Sequence, residues 1–157
     1  MKLFYPALVL GLALSPLSHA DCSAASKQAA LNFINSYAAF FHKNPPDPNS
    51  DQWVADNKNL TPQFKATYKK LVGDTRKENY ESSQDSDPIV DAQDAAEHFG
   101  KVISCDKKSG VMLVSGLWDP NHKDTMEIAV KPIQKQDKWL IDGSGVINIP
   151  KKQRAPR

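Results

Sequence analysis

The chain has 157 residues, 40% hydrophobic and 24% charged, the length and composition of one ordinary globular domain. Its 20 Lys and Arg against 18 Asp and Glu leave a formal charge of +2. That balance excludes both a strongly basic nucleic-acid binder and an acidic disordered tail.

Residues 1–20 read as a secretory signal: Lys2, an apolar stretch, Pro16, then Ser18-His19-Ala20 as the small-residue cleavage site before Asp21. The apolar run is too short to span a bilayer, so no transmembrane segment is expected. Asp21 just before Cys22 also spoils a lipidation site. Cys22 and Cys105 are the only cysteines, and in an exported chain an even count favours one disulfide over two thiols. Neither a zinc spacing nor a CxxC redox pair is present.

Residues 24–42 carry Leu31, Ile34, Tyr37, Ala38 and Phe41 at helical spacing, and the Pro- and Asp-rich stretch 44–51 stops that helix. A short helical turn is expected around Trp53 and Val54. Thr61-Pro62 is a helix start, with Thr as N-cap, Pro at the first position, and an apolar stripe of Phe64, Tyr68, Leu71 and Val72 ending near Gly73. Residues 74–87 are polar and read as loop. Asp87-Pro88 then starts a third short helix through residues 89–99. The second half is rich in β-formers at 101–105, 111–118, 125–131 and 138–141, separated by turn compositions. Val111 to Val114 is apolar on both faces, so that strand should be central. Met126, Ile128 and Val130 alternate with Glu127 and Lys131, so the next strand packs on one face. Val146 to Ile149 is expected to continue the last strand past a glycine bulge.

Short links between consecutive strands favour an antiparallel meander. The expected fold class is therefore α+β: N-terminal helices on a curved four-stranded antiparallel sheet, with one disulfide. The domain plan is a signal peptide at 1–20, one domain at 21–150 and a flexible basic tail at 151–157. That tail holds Lys151, Lys152, Arg154 and Arg157 beside a mildly acidic body. Contact with anionic lipid or nucleic acid is one reading of it, and a solvated end is the ordinary one.

The segment DPIVDAQD (87–94), the LTPQF start (60–64) and the KWLIDG element (138–143) together resemble a family of small exported proteins and lipoproteins of Gram-negative bacteria, a domain of unknown function. Its hallmark is Asp-Pro-x-x-x-Ala-Gln-Asp before a meander ending in Trp-x-Ile-Asp. The resemblance implies a cone-like fold similar to that of nuclear transport factor two. It also directs attention to Asp87, Pro88, Gln93 and Asp94 as a structural motif that ties its helix to the sheet by buried hydrogen bonds. This chain departs from the lipoprotein members in lacking a lipobox.

On the expected third helix, Asp91, Asp94 and Glu97 fall at i, i+3 and i+6, with His98 four residues after Asp94. That face would suit a hard metal or acid–base chemistry. The blander reading is a capped helix with a solvated acidic face. His42, His98 and His122 neighbour no nucleophile in an elbow context, and Gly143-Ser144-Gly145 lacks the strand–turn–helix form. No Walker loop or GxGxxG is present, so no cofactor, metal or catalytic residue is assigned. The aromatics, Trp53, Trp118 and Trp139 among them, read chiefly as packing.

The expectation is a periplasmic, non-enzymatic protein that binds a protein partner, of the immunity type or as an envelope accessory. Glu78, Glu81, Asp85 and Asp91 offer it an acidic partner surface. Two other readings remain: a small-ligand carrier using an apolar mouth of the cone, and a hydrolase or metal-dependent enzyme using Asp91, Asp94 and His98.

Overall fold

The computed structural model describes residues 22–43, 50–77, 86–118 and 124–156. Residues 1–20, read above as a signal peptide, and the candidates Glu78, Glu81, Asp85 and His122 lie outside them.

Helix α1 spans Ala24–Lys43. Ser23 precedes it and its Oγ accepts the Ser26 N–H at 3.2 Å, the N-cap bond that satisfies an otherwise orphaned donor. Ala30, Phe33, Ile34, Tyr37 and Ala38 are its buried stripe, at the spacing that puts them on one face. Helix α2 is Ser50–Asp56, and α3 is Pro62–Lys77. Thr61 caps α3 as expected, its Oγ1 accepting the Phe64 N–H at 3.0 Å. The helix does not stop near Gly73. A glycine inside a helix costs only about 1 kcal/mol, too little to end one that still buries Phe64 and Tyr68.

The strands are β1 His98–Cys105, β2 Met112–Leu117, β3 Thr125–Lys135 and β4 Lys138–Ser144, in a fully antiparallel sheet of order β1-β2-β3-β4. The protein is therefore α+β, and β2 is an inner strand. Helix α1 lies across all four strands, and α3 packs on β4. Between them Ile34, Tyr37, Phe64, Phe99, Met112, Val114, Ile128 and Val130 form the core, each at most 1% exposed. On the opposite face Val111, Ala129 and Ile149 form a small second cluster with Leu113, which is why residues 111–114 are apolar throughout. A disulfide joins Cys22, just ahead of α1, to Cys105 at the end of β1.

Two further expectations need correction. Residues 88–97 are not a helix but a tight turn followed by an extended lead into β1. Ile89, Val90, Ala95, Ala96 and Phe99 are all buried, and no single helical stripe could bury all five. The turn ends at Asp91, whose φ of 56° is left-handed.

Nor do residues 146–149 prolong β4. Gly145, at φ 57°, turns the chain so that Ser144 pairs with Ile147 in a lone bridge. A Cβ at Gly145 would lie 2.5 Å from the Pro88 carbonyl oxygen, so only glycine fits this contact.

The basic segment after Pro150 begins with a short 3-10 turn, Lys151–Gln153. The Gln153 side-chain amide donates to Asp106 Oδ2 at 2.8 Å and Ser109 Oγ at 2.7 Å in the β1–β2 hairpin.

Candidate functional site

The structure gathers its buried polar groups where the three helices meet the Asp87 turn. Tyr37 projects from α1 into the core with a phenol that needs partners. Its O–H donates to Asp87 Oδ2 and shares a 2.9 Å hydrogen bond with Ser50 Oγ at the start of α2. Asp87 Oδ1 accepts the Ile89 N–H at 2.7 Å, a local side-chain-to-backbone turn that replaces the expected helix cap. The turn is closed by Asp91 N–H donating to Asp87 C=O at 2.8 Å and Asp87 N–H donating to Ala92 C=O at 2.9 Å. Nearby, Tyr68 on α3 donates its O–H to Asp51 Oδ1 at 3.0 Å.

The electrostatics follow from burial. Desolvation pushes the Asp87 carboxyl above its ordinary 3.8, while the bonds from Tyr37 and the Ile89 N–H pull it part of the way back. Burial, and then the neighbouring Asp87 charge, drives the Tyr37 phenol far above its ordinary 10.0. Burial and the bond to Asp51 raise Tyr68 in the same direction. Both phenols are thus held as neutral donors at any physiological pH. The Tyr37 hydroxyl cross-links α1, α2 and the 87–92 turn through Ser50 and Asp87.

That turn is docked on the sheet in its own right. Ser144 Oγ donates to the Ile89 carbonyl at 2.7 Å, and the Val146 N–H donates to the Pro88 carbonyl at 3.0 Å. A second tie joins the other two motif segments. Thr61 Oγ1 donates to Asp142 Oδ1 at 2.9 Å, and Lys131 Nζ pairs with Asp142 Oδ2 at 3.1 Å. Backbone bonds from Thr61 N–H to Ile141 C=O and from Ile141 N–H to Asn59 C=O tie residues 59–61 to the outer edge of β4 at Ile141.

Of the motif residues, Asp87 and Pro88 sit at this junction, whereas Gln93 and Asp94 are exposed. Asp94 Oδ1 accepts only the N–H of its neighbour Ala95, at 2.8 Å, so the buried tie expected of it is made by Asp87 instead. Asp91, Asp94, Glu97 and His98 do not share a helical face. They are strung along the turn and the extended lead into β1, with Asp94, Glu97 and His98 exposed. Among the described residues, no group of three or more His, Cys, Asp and Glu side chains is placed to hold a metal ion. Asp91 of the expected acidic surface lies in the turn; Glu78, Glu81 and Asp85 lie outside the described residues.

Sequence reasoning missed Tyr37, Ser50 and Asn35. The Asn35 side chain clasps the free edge of β1, accepting the Phe99 N–H at 2.8 Å and donating to the Phe99 C=O at 2.9 Å. A polar residue on the boundary of an apolar stripe was the only signal for it. Trp118 departs from the packing role expected of the aromatics: it is 36% exposed, beside Leu117 at 45%.

The remaining concavities are surface grooves. One of about 510 Å³ lies between α2 and α3, beside Asp51, Lys65 and Tyr68. Another of about 430 Å³ lies against α1, beside Asn32 and Trp139. No helix among the described residues is long and apolar enough to cross a membrane. Compared with family models, curated proteins and solved structures, the chain matches none.

Proposed function

We propose that this is a periplasmic binding protein without catalytic activity, which acts by gripping a protein partner as an immunity-type or envelope accessory protein. We place it with the small exported Gram-negative proteins that its three motifs resemble, and read the sheet and helices as their cone-like fold. The observation that carries the reading is the pair Leu117 and Trp118, large apolar side chains left in solvent at the end of β2. Large apolar side chains left partly in solvent suit contact with another macromolecule.

Other features agree with it. The Cys22–Cys105 disulfide suits an oxidising compartment such as the periplasm. The space under α1, where a carried ligand would sit, is filled by the core side chains. The three motif segments are spent on holding elements together.

The test is a pull-down from periplasmic extract with the disulfide-bonded protein as bait, repeated with Leu117→Ser/Trp118→Ser. A partner retained by the native protein and lost by the double variant supports the reading. Failure of any protein to be retained, or retention unchanged by the variant, overturns it.

A further inference from the structure

We infer that the cleft between the N-terminal half of α1 and β4 binds a neutral sugar, with Trp139 as its stacking platform and the Gln28 and Asn32 amides as a fixed pair of partners for its hydroxyls. This goes beyond the partner surface at Leu117 and Trp118, neither of which lines the cleft.

Spacing along the chain builds the walls. Gln28, Asn32 and Ser36 follow one another at four-residue intervals, so they run down one flank of α1. Ala25 and Ala29 border the same cleft and are too short to fill it. Opposite them, strand alternation puts Trp139 on the face of β4 that carries Ile141 into the core. Trp139 itself stays half-buried at the margin of that core.

The end wall is the loop that bears Asn57 and Asn59. It is held in place by three hydrogen bonds. The Asn57 N–H donates to the Trp53 carbonyl at 3.1 Å, the Asn59 N–H to Asn57 Oδ1 at 2.9 Å, and the Ile141 N–H to the Asn59 carbonyl at 2.8 Å. The loop therefore needs little ordering when a ligand arrives.

The chemistry of the lining selects the ligand. No ionisable side chain is among the residues that form this cleft of about 430 Å³. Lys58, between the two asparagines, is exposed and does not line it. The clefts beside Asp91, Lys69 and His98 carry charged groups instead. A charged ligand would find no counter-charge here, and a wholly apolar one would take water from the amides without replacing its hydrogen bonds. A sugar ring meets both demands, since its hydroxyls hydrogen-bond and its C–H face packs on an aromatic ring.

The amides are also arranged for hydroxyls. Gln28 Nε2 donates to Asn32 Oδ1 at 2.8 Å, which fixes the two side chains relative to each other. Gln28 Oε1 and Asn32 Nδ2 make no hydrogen bond among the described residues, and so stand as an acceptor beside a donor. Two adjacent sugar hydroxyls complement that pair, one donating to Gln28 Oε1 and its neighbour accepting from Asn32 Nδ2. Asn57, whose Oδ1 is taken by Asn59, has its Nδ2 left as a further donor.

A glycan array carrying neutral and acidic chains, probed with the labelled disulfide-bonded protein, is the first test. Retention on neutral glycans is expected; retention on none, or on acidic glycans alone, overturns the inference. NMR titration with the best-bound neutral glycan should then shift the side-chain amide signals of Gln28 and Asn32 and the indole N–H of Trp139. Shifts confined to other residues place the sugar elsewhere and overturn it as well.

Gln28→Ala/Asn32→Ala, at two exposed positions, should weaken binding about tenfold or more while the urea midpoint stays put. Trp139→Ala should abolish binding, and Trp139→Phe, which keeps a ring, should restore part of it. Unchanged affinity in the amide double variant refutes the site. Leu117→Ser/Trp118→Ser should bind the glycan as the native protein does, so the sugar site and the protein-partner reading fail separately. Displacement by the free monosaccharide identifies a free sugar as the ligand, and displacement by the chain alone identifies a glycan; either supports the site. Equal displacement by a neutral Ser–Thr heptapeptide makes the cleft a peptide site and overturns the inference.

Discussion

Asp87 and Tyr37 give the sharpest test of what holds the helices to the sheet. Asp87→Ala removes the acceptor of the Ile89 N–H, a cap-like bond worth about 1 kcal/mol. It also removes one partner of the buried Tyr37 phenol, where an unsatisfied donor costs roughly 1–3 kcal/mol. Ser50 stays within 2.9 Å and can still accept, which puts the second contribution at the low end. Relief from burying the carboxylate offsets part of the loss. The expected destabilisation is about 2 kcal/mol at neutral pH. Tyr37→Phe and the double variant complete a cycle whose coupling should be about 1.5 kcal/mol or more, as for hydrogen bonds to a charged group.

Urea unfolding of the disulfide-bonded protein, followed by tryptophan fluorescence, reads all four species. Trp53 packs 4.9 Å from the Tyr37 ring, centroid to centroid, and so reports on this region directly. pH supplies an independent sign. Because burial raises the Asp87 carboxyl, the stability it confers is full below 3.8 and is lost as pH rises through the folded value. Asp87→Asn cannot ionise, so the native protein should lose stability relative to that variant as pH climbs through this window. A coupling below about 0.5 kcal/mol, or a gap that widens in the opposite sense, would refute the account of the cluster.

Reducing the Cys22–Cys105 disulfide, which spans 83 positions, should lower stability by about 4–5 kcal/mol on the chain-entropy model. Intact mass with and without reduction and alkylation checks the bond in the purified protein, and two freely alkylated thiols there would contradict it. Gly145→Ala should cost about 2 kcal/mol or more, since it strains a left-handed residue and drives a methyl into the Pro88 and Ile89 carbonyls; thermal melting checks it. Asn35→Ala should cost about 2 kcal/mol in urea unfolding and speed exchange of the Phe99 amide, having lost both clasping bonds. Asp94→Ala, at an exposed carboxylate bonded only to the next residue, should shift stability by less than about 0.5 kcal/mol in the same assay.

Local chemistry made much of this fold legible from the residues alone. The α1 stripe, the Thr61-Pro62 start and the period-two alternation of Met126, Ile128 and Val130 are each set by neighbours in sequence. Two cysteines likewise point to one bond, because no other intramolecular pairing exists.

Where the reading failed, distant contacts outweighed local preference. Asp87-Pro88 carries a helix-start signal, yet the Tyr37 phenol and the carbonyl contacts with Ser144 and Val146 hold those residues in a turn. Val146 to Ile149 has strand composition, but the Gly145 turn docks it against that same loop. No pattern in residues 125–129 shows that the Ala129 carbonyl accepts from Gly145, because that neighbour is set by a turn far along the chain. Sequence by itself determined most helices and strands and the faces they bury; tertiary structure alone decided the 87–97 and 145–149 segments and which polar groups meet, since these depend on elements far apart in the chain.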